Sequence, residues 1–153
     1  MNWEAIGALG NVVGGVGVIV TLVYLALQIR QNTKALKVSA YADFVTRHLH
    51  NLEIETQHAE LIVRSRSPSF SASPSELQVL TAHHSGYVRN GDALFYQFQQ
   101  GLLDKSRWES AAKMVAGLIT ESELNRSIWR DYQHRYEPGY RAEINRLAVH
   151  RET

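Results

Sequence analysis

Hydrophobic residues dominate the beginning of the chain in one long run. Residues 5–29 carry no charged side chain and lie between Glu4 and Arg30. A helix rises about 1.5 Å per residue, so a run of this length can cross a hydrocarbon core of about 30 Å. Within residues 16–29 apolar positions surround the whole helix, which distinguishes it from an amphipathic surface helix. The pattern predicts one transmembrane helix over residues 1–30.

Two other interpretations of this run are weaker. A buried helix of a soluble protein seldom stays uncharged for so long. A cleaved signal peptide begins with basic residues and ends at a small-residue cleavage site, and neither feature flanks the run. We therefore keep the transmembrane helix as the prediction.

The flanking charges predict the orientation of this helix. The tail before the run has no Lys or Arg, whereas Arg30, Lys34 and Lys37 follow it closely. Positive flanks stay on the cytoplasmic side of a membrane. We expect the N-terminus outside and the following domain in the cytoplasm.

One face of the predicted membrane helix consists first of glycines and then of polar side chains. Its positions recur in alternating steps of three and four residues, so they share one side of the helix. Glycines let a second backbone approach closely, and polar side chains can hydrogen-bond across a helix interface. Beyond the lipid bilayer itself, this face predicts a partner helix, from another copy or another membrane protein, although glycine is common in membrane helices generally. We call it the membrane seam; it comprises Gly7, Gly10, Gly14, Gly17, Thr21, Tyr24 and Gln28.

The same alternation continues past the membrane run, now mainly with apolar residues. No Gly or Pro occurs over residues 18–67, so we expect an unbroken helix from Trp3 or Ala5 to about Val63. Over residues 31–64 this amphipathic helix either packs on its own domain or forms a coiled-coil stalk. Tyr41, Phe44 and Leu61 widen its apolar face, which favours packing on the domain, whereas a strict seam alone would favour the stalk. We call the continuing positions the heptad face; it comprises Ala35, Val38, Ala42, Val45, Leu49, Leu52, Thr56, Ala59 and Val63.

The rest of the sequence predicts shorter helices, and residues typical of helix starts mark where they begin. Residues 65–75 form a Ser/Pro-rich loop that ends in a predicted capping box of Ser73 and Glu76, with Pro74 at the first helical position. Asp104 is the expected N-cap of a later helix. The helices are expected over residues 74–100, 105–118, 122–135 and 138–150.

These elements predict an all-α fold, since no strand-like alternation occurs. One N-terminal transmembrane helix continues into a small cytoplasmic helical bundle, in which residues 76–153 pack with residues 31–64. The core of the bundle should include the aromatic residues of its last three helices, which are Trp108, Trp129, Tyr132, Tyr136 and Tyr140.

Composition excludes several kinds of chemistry. The chain has no cysteine, so it has no disulfide, thiolate nucleophile or cysteine metal ligand. A net charge of +1 gives no electrostatic reason to expect nucleic-acid binding. His48 and His50 point about 200° apart on a helix, and adjacent His83 and His84 diverge similarly, so no pair shares an ion. We expect no metal and no cofactor, and we expect His84, on an apolar face, to be a hydrogen-bonded core residue.

A polar stretch near the end of the predicted second helix is the candidate ligand site. It is either a solvated face with some capping or a polar groove between helices. No nucleophile elbow or phosphate-binding glycine loop accompanies it. We call it the polar cluster; it comprises Arg89, Asn90, Asp92, Tyr96, Gln97 and Asp104.

Two stretches carry a resemblance to a known family. Residues 22–33 read LVYLALQIRQNT behind the glycine-rich lead, and residues 95–104 read FYQFQQGLLD, followed by Trp108, Trp129 and the YEPGY of residues 136–140. In these stretches the chain resembles a widespread family of small, uncharacterised bacterial single-pass membrane proteins with a Gly-rich N-terminal helix and a C-terminal helical domain. The resemblance implies a bacterial inner-membrane location and no particular activity.

The membrane seam and the lack of catalytic motifs favour a non-enzymatic, membrane-anchored interaction protein. It would be a self-assembling scaffold or an accessory subunit of a larger membrane complex. Two alternatives stay open. One is a membrane-tethered enzyme or small-ligand-binding domain that uses the polar cluster, and the other is an oligomeric pore with Thr21, Gln28 and Gln31 facing water.

Overall fold

The chain folds entirely into helices over the part that the structure describes. The computed structural model describes residues 2–152, without the side chains of residues 5, 6, 151 and 152. No strand occurs within residues 2–152, which confirms the all-α fold class. The helices are α1 (Trp3–Gln57), α2 (Ala59–Ser65), α3 (Pro74–Gln99), α4 (Lys105–Thr120), α5 (Glu123–Tyr132), a 3₁₀ turn (Gln133–Arg135) and α6 (Pro138–Glu152).

Helix α1 runs without a break between Gln28 and Leu36, as predicted. It ends at Gln57, however, and the prediction of one helix to Val63 is wrong. At His58 the backbone leaves the helical region, with a φ of −117° and a ψ of 23°. The hydrogen-bond ladder still crosses this residue, since its N–H donates to Ile54 O at 3.1 Å and its own carbonyl accepts from Ile62 N at 3.0 Å. The interruption is therefore a local kink, and no Gly or Pro in the sequence marks it.

The chain divides into two units, Met1–Ser39 and Ala40–Thr153. The first unit is a lone helical segment in which every described side chain is exposed. Helix α1 is long and apolar enough to cross a membrane, with a mean hydropathy of 2.3 in an 18-residue window of which nothing is buried. This agrees with the predicted membrane span in length and composition.

The second unit is built around α4, which packs against α3, α5 and α6. The predicted core aromatics Trp108, Trp129 and Tyr140 are buried, and Tyr140 is fully enclosed. Tyr132 and Tyr136 are only partly buried, although the Tyr136 ring stacks on Trp129 with centroids 5.9 Å apart. The aromatic rings therefore join α4, α5 and α6 into one core.

Several helix ends follow local sequence rules. Ser73 Oγ accepts from Glu76 N, and Glu76 Oε2 accepts from Ser73 N at 2.9 Å, which confirms the capping box. Gly101, with φ +69°, ends α3: its N–H donates to Phe98 O and Leu102 N donates to Gln97 O, the Schellman arrangement.

Asp104 departs from its predicted capping role. It occupies the N-cap position of α4 with an extended backbone, but its side chain makes no capping hydrogen bond. By contrast, Ser122 caps α5 by accepting from Asn125 N at 3.1 Å. The position of a cap was readable from the sequence, whereas the rotamer of the Asp104 carboxylate was not.

The heptad face is not the side of the helix on which the bundle packs. Leu49 and Leu52 retain 59% and 40% of their side-chain exposure, and Val63 retains 62%. Phe44 instead packs against the core, and Asn51 is buried. Residues 40–63 therefore pack on the bundle through the side that carries Phe44, while Leu49 and Leu52 stay exposed. The choice between domain packing and a stalk for residues 31–64 as a whole stays a prediction.

Candidate functional site

The membrane seam has open space in front of its glycines. A Cβ added at Gly10, Gly14 or Gly17 would meet no heavy atom within 4 Å among the described residues, and the same holds at Gly7. Thr21 Oγ1 donates to the Gly17 carbonyl at 2.9 Å, a bond within its own helix. This bond leaves the Thr21 hydroxyl oxygen able to accept from a neighbouring helix.

The polar part of the seam is equally unoccupied. Tyr24 is 61% exposed, and Gln28 is exposed as well. In a hydrocarbon environment, unpartnered amide and hydroxyl groups are costly, so these side chains are suited to an interhelical contact. The first unit by itself provides no such contact.

The polar cluster does not converge on a cavity. Arg89 and Tyr96 are exposed, and Asp104 is exposed at the start of α4. Asp92 is half-buried, where its Oδ1 accepts from Glu137 N at 3.4 Å. Burial raises the pKa of the Asp92 carboxyl above its usual value. Asp92 thus helps to hold the start of α6 against α3.

Two other members of the polar cluster are less exposed than Arg89, Tyr96 and Asp104. Asn90 and Gln97 are partly buried on α3, and the Gln97 Oε1 atom is enclosed without a hydrogen-bond partner in the described part of the chain. Neither residue lines any of the three cavities described next. In the described structure, the residues of this cluster do not bring an acid, a base and a nucleophile together.

The second unit has three open cavities of about 370, 250 and 410 Å³. The first is the most apolar in its chemistry. Arg107 stands at its wall, with the guanidinium 4.3 Å from the Tyr41 ring centroid, a cation–π contact. No His, Asp, Glu or Lys lines it, so Tyr41 is the one side chain in its described wall of a type that serves as a general acid or base. Its lining residues are Tyr41, Phe44, Leu94, Leu103, Ser106, Arg107, Ser110, Ala111 and Met114.

A buried polar group between α1 and α3 was not foreseen from the sequence. Tyr87 Oη donates to Glu55 Oε2 at 2.8 Å, and His83 Nε2 lies 3.8 Å from the same oxygen. Burial, followed by the hydrogen bond to Glu55, raises the pKa of Tyr87 well above its usual value. Burial lowers the pKa of His83, against the opposing effect of Glu55. The sequence signal was the spacing of Tyr87 and His83 on one face of α3.

His84 occupies the core position predicted for it. It is 2% exposed, and its Nε2 atom has no hydrogen-bond partner within the described residues, so the expected bond is missing at that atom. Burial lowers the pKa of His84 to about 4, with a smaller contribution from the neighbouring His83. At neutral pH the ring is therefore uncharged.

Metal ligation finds no support in this geometry. No group of three His, Asp or Glu side chains that could hold an ion occurs among the described residues. His83 and His84 lie next to each other along the chain, and the nearest carboxylate, on Glu55, is occupied by Tyr87.

Comparisons with known proteins add no relative to this description. No protein-family model matches the chain, and no curated protein or solved structure matches it significantly.

Proposed function

We propose that this chain is a membrane-anchored, non-enzymatic interaction protein. Its N-terminal helix spans the bacterial inner membrane and contacts partner helices through the membrane seam, and its bundle lies in the cytoplasm. It acts as a self-assembling scaffold or as an accessory subunit of a larger membrane complex. The observation that carries the proposal is the stripe of glycines and polar side chains on the apolar helical segment of the first unit, whose described side chains are all exposed.

Two further observations support a binding role over catalysis. The polar cluster lines none of the three described cavities, and the cavity beside Arg107 has Tyr41 but no His, Asp, Glu or Lys in its wall. Four glycines on one stripe, followed by polar side chains, suit close helix packing in lipid, where van der Waals contact and interhelical hydrogen bonds drive association.

Replacing Gly14 with leucine tests this proposal. The change places a large side chain where two backbones would approach, so we expect the assembled particle to shrink or to lose its partner chain. The bundle should stay folded, because residues 40–153 do not depend on this position. Size-exclusion chromatography and crosslinking in one mild detergent give the mass and the accompanying chains.

The matched control is Gly15→Leu, the same substitution at a glycine outside the seam, about 100° around the helix from Gly14. We expect this variant to assemble like the parent protein. If Gly14→Leu also assembles like the parent, the seam is not an interface and the glycines reflect ordinary membrane-helix composition.

The proposed orientation has its own test. Protease added to the periplasmic side of sealed vesicles should leave the bundle intact, because the basic residues that follow the span, Arg30, Lys34 and Lys37, hold it on the cytoplasmic side. Reporter fusions at both termini should agree with this result. Digestion of the bundle from the periplasmic side would show the opposite orientation.

A further inference from the structure

We propose that the heptad face of the second unit binds the same face of a second copy of this chain, as a parallel two-stranded coiled coil. The surface consists of Ala42, Val45, Leu49, Leu52 and Thr56. The inference rests on the membrane anchoring proposed above, and it identifies the partner that the proposed function leaves open.

The first observation is that four of the five residues of this surface are exposed, while Val45 is partly buried. Leu49 and Leu52 are 59% and 40% exposed, and Ala42 and Thr56 are exposed too. Thr56 Oγ1 donates to the Leu52 carbonyl at 2.8 Å, so its hydroxyl is already satisfied within the helix and can enter an interface at low cost.

The bundle instead covers a different side of the same helix. Ala40 and Asn51 are buried, Phe44 packs against the core, and His48 meets the Tyr87 ring edge-on with centroids 6.0 Å apart. These four positions lie on average about 125° around the helix from the centre of the heptad face, at about 100° per residue. Tyr41 and Glu55, which contact Arg107 and Tyr87, lie about 60° and 100° from it on the same side, so the bundle borders the heptad face on one side only. Both faces can therefore be occupied at once.

The spacing of the residues on this surface is the spacing found in two-stranded coiled coils. An alternation of three and four residues repeats every 3.5 residues, the period that keeps one seam facing a partner in a left-handed coiled coil. None of the nine heptad-face positions is charged, whereas Asp43, Arg47 and Glu53 occupy the positions between them. A face shaped only by the chain's own bundle would have no reason to hold this strict period.

The membrane favours a second copy over any other helix. Copies inserted with the same orientation present their helices parallel and at the same height, so each residue meets its counterpart in register. The heptad face also continues the steps of the membrane seam without a skipped residue, from Gly7 to Val63. In such a pair Leu49 and Thr56 occupy a positions, and Val45 and Leu52 occupy d positions.

Single cysteines test this register, because the full chain has none of its own. With helix axes about 10 Å apart and Cα atoms about 2.3 Å from each axis, paired seam residues lie within about 6 Å, whereas outward residues lie beyond about 12 Å. A disulfide requires Cα atoms closer than about 7 Å. We expect Leu49→Cys and Leu52→Cys to form disulfide-linked dimers on oxidation in native membranes.

The controls are Arg47→Cys and His50→Cys, which are exposed but point away from the surface. We expect the seam variants to give about tenfold more dimer than these controls, as the distance limit for a disulfide requires. Equal dimer at all four positions, dimer mainly at the control positions, or none at Leu49 and Leu52 would each overturn the proposal.

A charge substitution provides a second, independent measurement. Leu49→Lys should reduce the dimer in detergent at least severalfold, whereas His50→Lys should not, since a charge at an a position opposes its counterpart. At concentrations where the parent and both variants are monomeric, the thermal unfolding of the bundle should be the same in all three, because both positions are exposed in the single chain. Assembly of Leu49→Lys equal to that of the parent would contradict the proposal.

The failure of this inference can be told apart from the failure of the proposed function. If Gly14→Leu disrupts the particle but Leu49→Cys gives no dimer, the partner is not a second copy in this register, and the membrane seam remains an interface. If Leu49→Cys forms the dimer but Gly14→Leu assembles normally, the coiled coil stands and the membrane seam is not the contact.

Discussion

Replacing Gly91 with alanine should destabilise the bundle by about 2 kcal/mol. The added Cβ would collide with the Tyr140 hydroxyl and would lie 2.9 Å from Val115 Cγ2. Overpacking of this kind costs about 3 kcal/mol when the neighbours are enclosed, and a helical Gly→Ala change returns about 1 kcal/mol. Both neighbours are buried, with Tyr140 at 0% and Val115 at 1% exposure, so neither can move aside. Urea unfolding in detergent, followed by the fluorescence of the core tryptophans, measures the loss.

The matched control for this prediction is Gly15→Ala in the first unit. It makes the same substitution in a helix but meets nothing within 4 Å, so the unfolding of the bundle should not change. Equal unfolding midpoints for the parent and Gly91→Ala would show that the α3–α6 contact is looser than described.

A double substitution tests the assigned cause of the strain. Tyr140 Oη donates to the Val88 carbonyl at 2.9 Å, so Tyr140→Phe alone should cost about 1 kcal/mol. The same change removes the atom nearest to the new Cβ. The combined variant, Gly91→Ala with Tyr140→Phe, should therefore lose less free energy of unfolding than the sum of the two single changes.

The second large effect expected is a loss of stability on mild acidification, caused by His84. Its pKa is lowered to about 4 in the fold, against about 6.5 in an unfolded chain. Between these values the unfolded state binds more protons than the folded state, so the free energy of unfolding falls as the pH falls. The full loss from pH 6.5 to 4 is about 3 kcal/mol for this one group.

Other titratable groups also affect the free energy of unfolding as the pH falls, each over its own pH range. The pKa of His83 is lowered by burial, and it adds to the loss in the same direction. The pKa values of Glu76, Glu123 and Glu143 are lowered by hydrogen bonds, to Ser73, Arg126 and Arg146 respectively. Their contribution is lost only as the pH falls below about 4.5, so the range from 6.5 to 4.5 reports mainly on the histidines.

His84→Leu is the variant that isolates this effect. The His84 Nε2 atom has no hydrogen-bond partner in the described structure, so an apolar replacement leaves no new polar group unsatisfied there. We expect near-parental stability at pH 7.5 and a flatter decline towards pH 4.5, measured by urea unfolding at a series of pH values. His50→Gln, at an exposed position, should keep the parental profile. A profile for His84→Leu as steep as the parent's would show that another group titrates.

Local rules predicted much of the bundle because their causes are local. The capping box at Ser73 depends on backbone groups within a few residues, and it appears in the structure. The core position of Trp108 and Tyr140 followed from helical spacing and size. The kink at His58 and the missing capping hydrogen bond of Asp104 did not, because no Gly or Pro marks the first and the second depends on a side-chain rotamer that the sequence leaves open.

The same distinction between local and tertiary causes applies to the candidate sites. The residues that share one face of the membrane helix could be identified from the sequence, since alternating steps of three and four fix one face of any helix, and their role as an interface stays a prediction. The polar cluster could be read as polar, but whether Arg89, Asp92 and Tyr96 converge on a cavity depends on how α3 sits against α6. The buried contact of Glu55, Tyr87 and His83 joins residues from two helices, so no single helical pattern contains it.

The sequence by itself determined the all-α class, the uncharged run of residues 5–29 and the register of the seam, because length, charge and period are properties of the chain alone. Only the tertiary structure decided which side of residues 40–63 the bundle covers. Phe44 and Asn51 turn inward while Leu49 and Leu52 stay exposed. The reason is that an amphipathic pattern specifies an apolar face but not its partner. The large aromatic side chains of the core pack against the side of the helix that carries Phe44, and they leave Leu49 and Leu52 exposed.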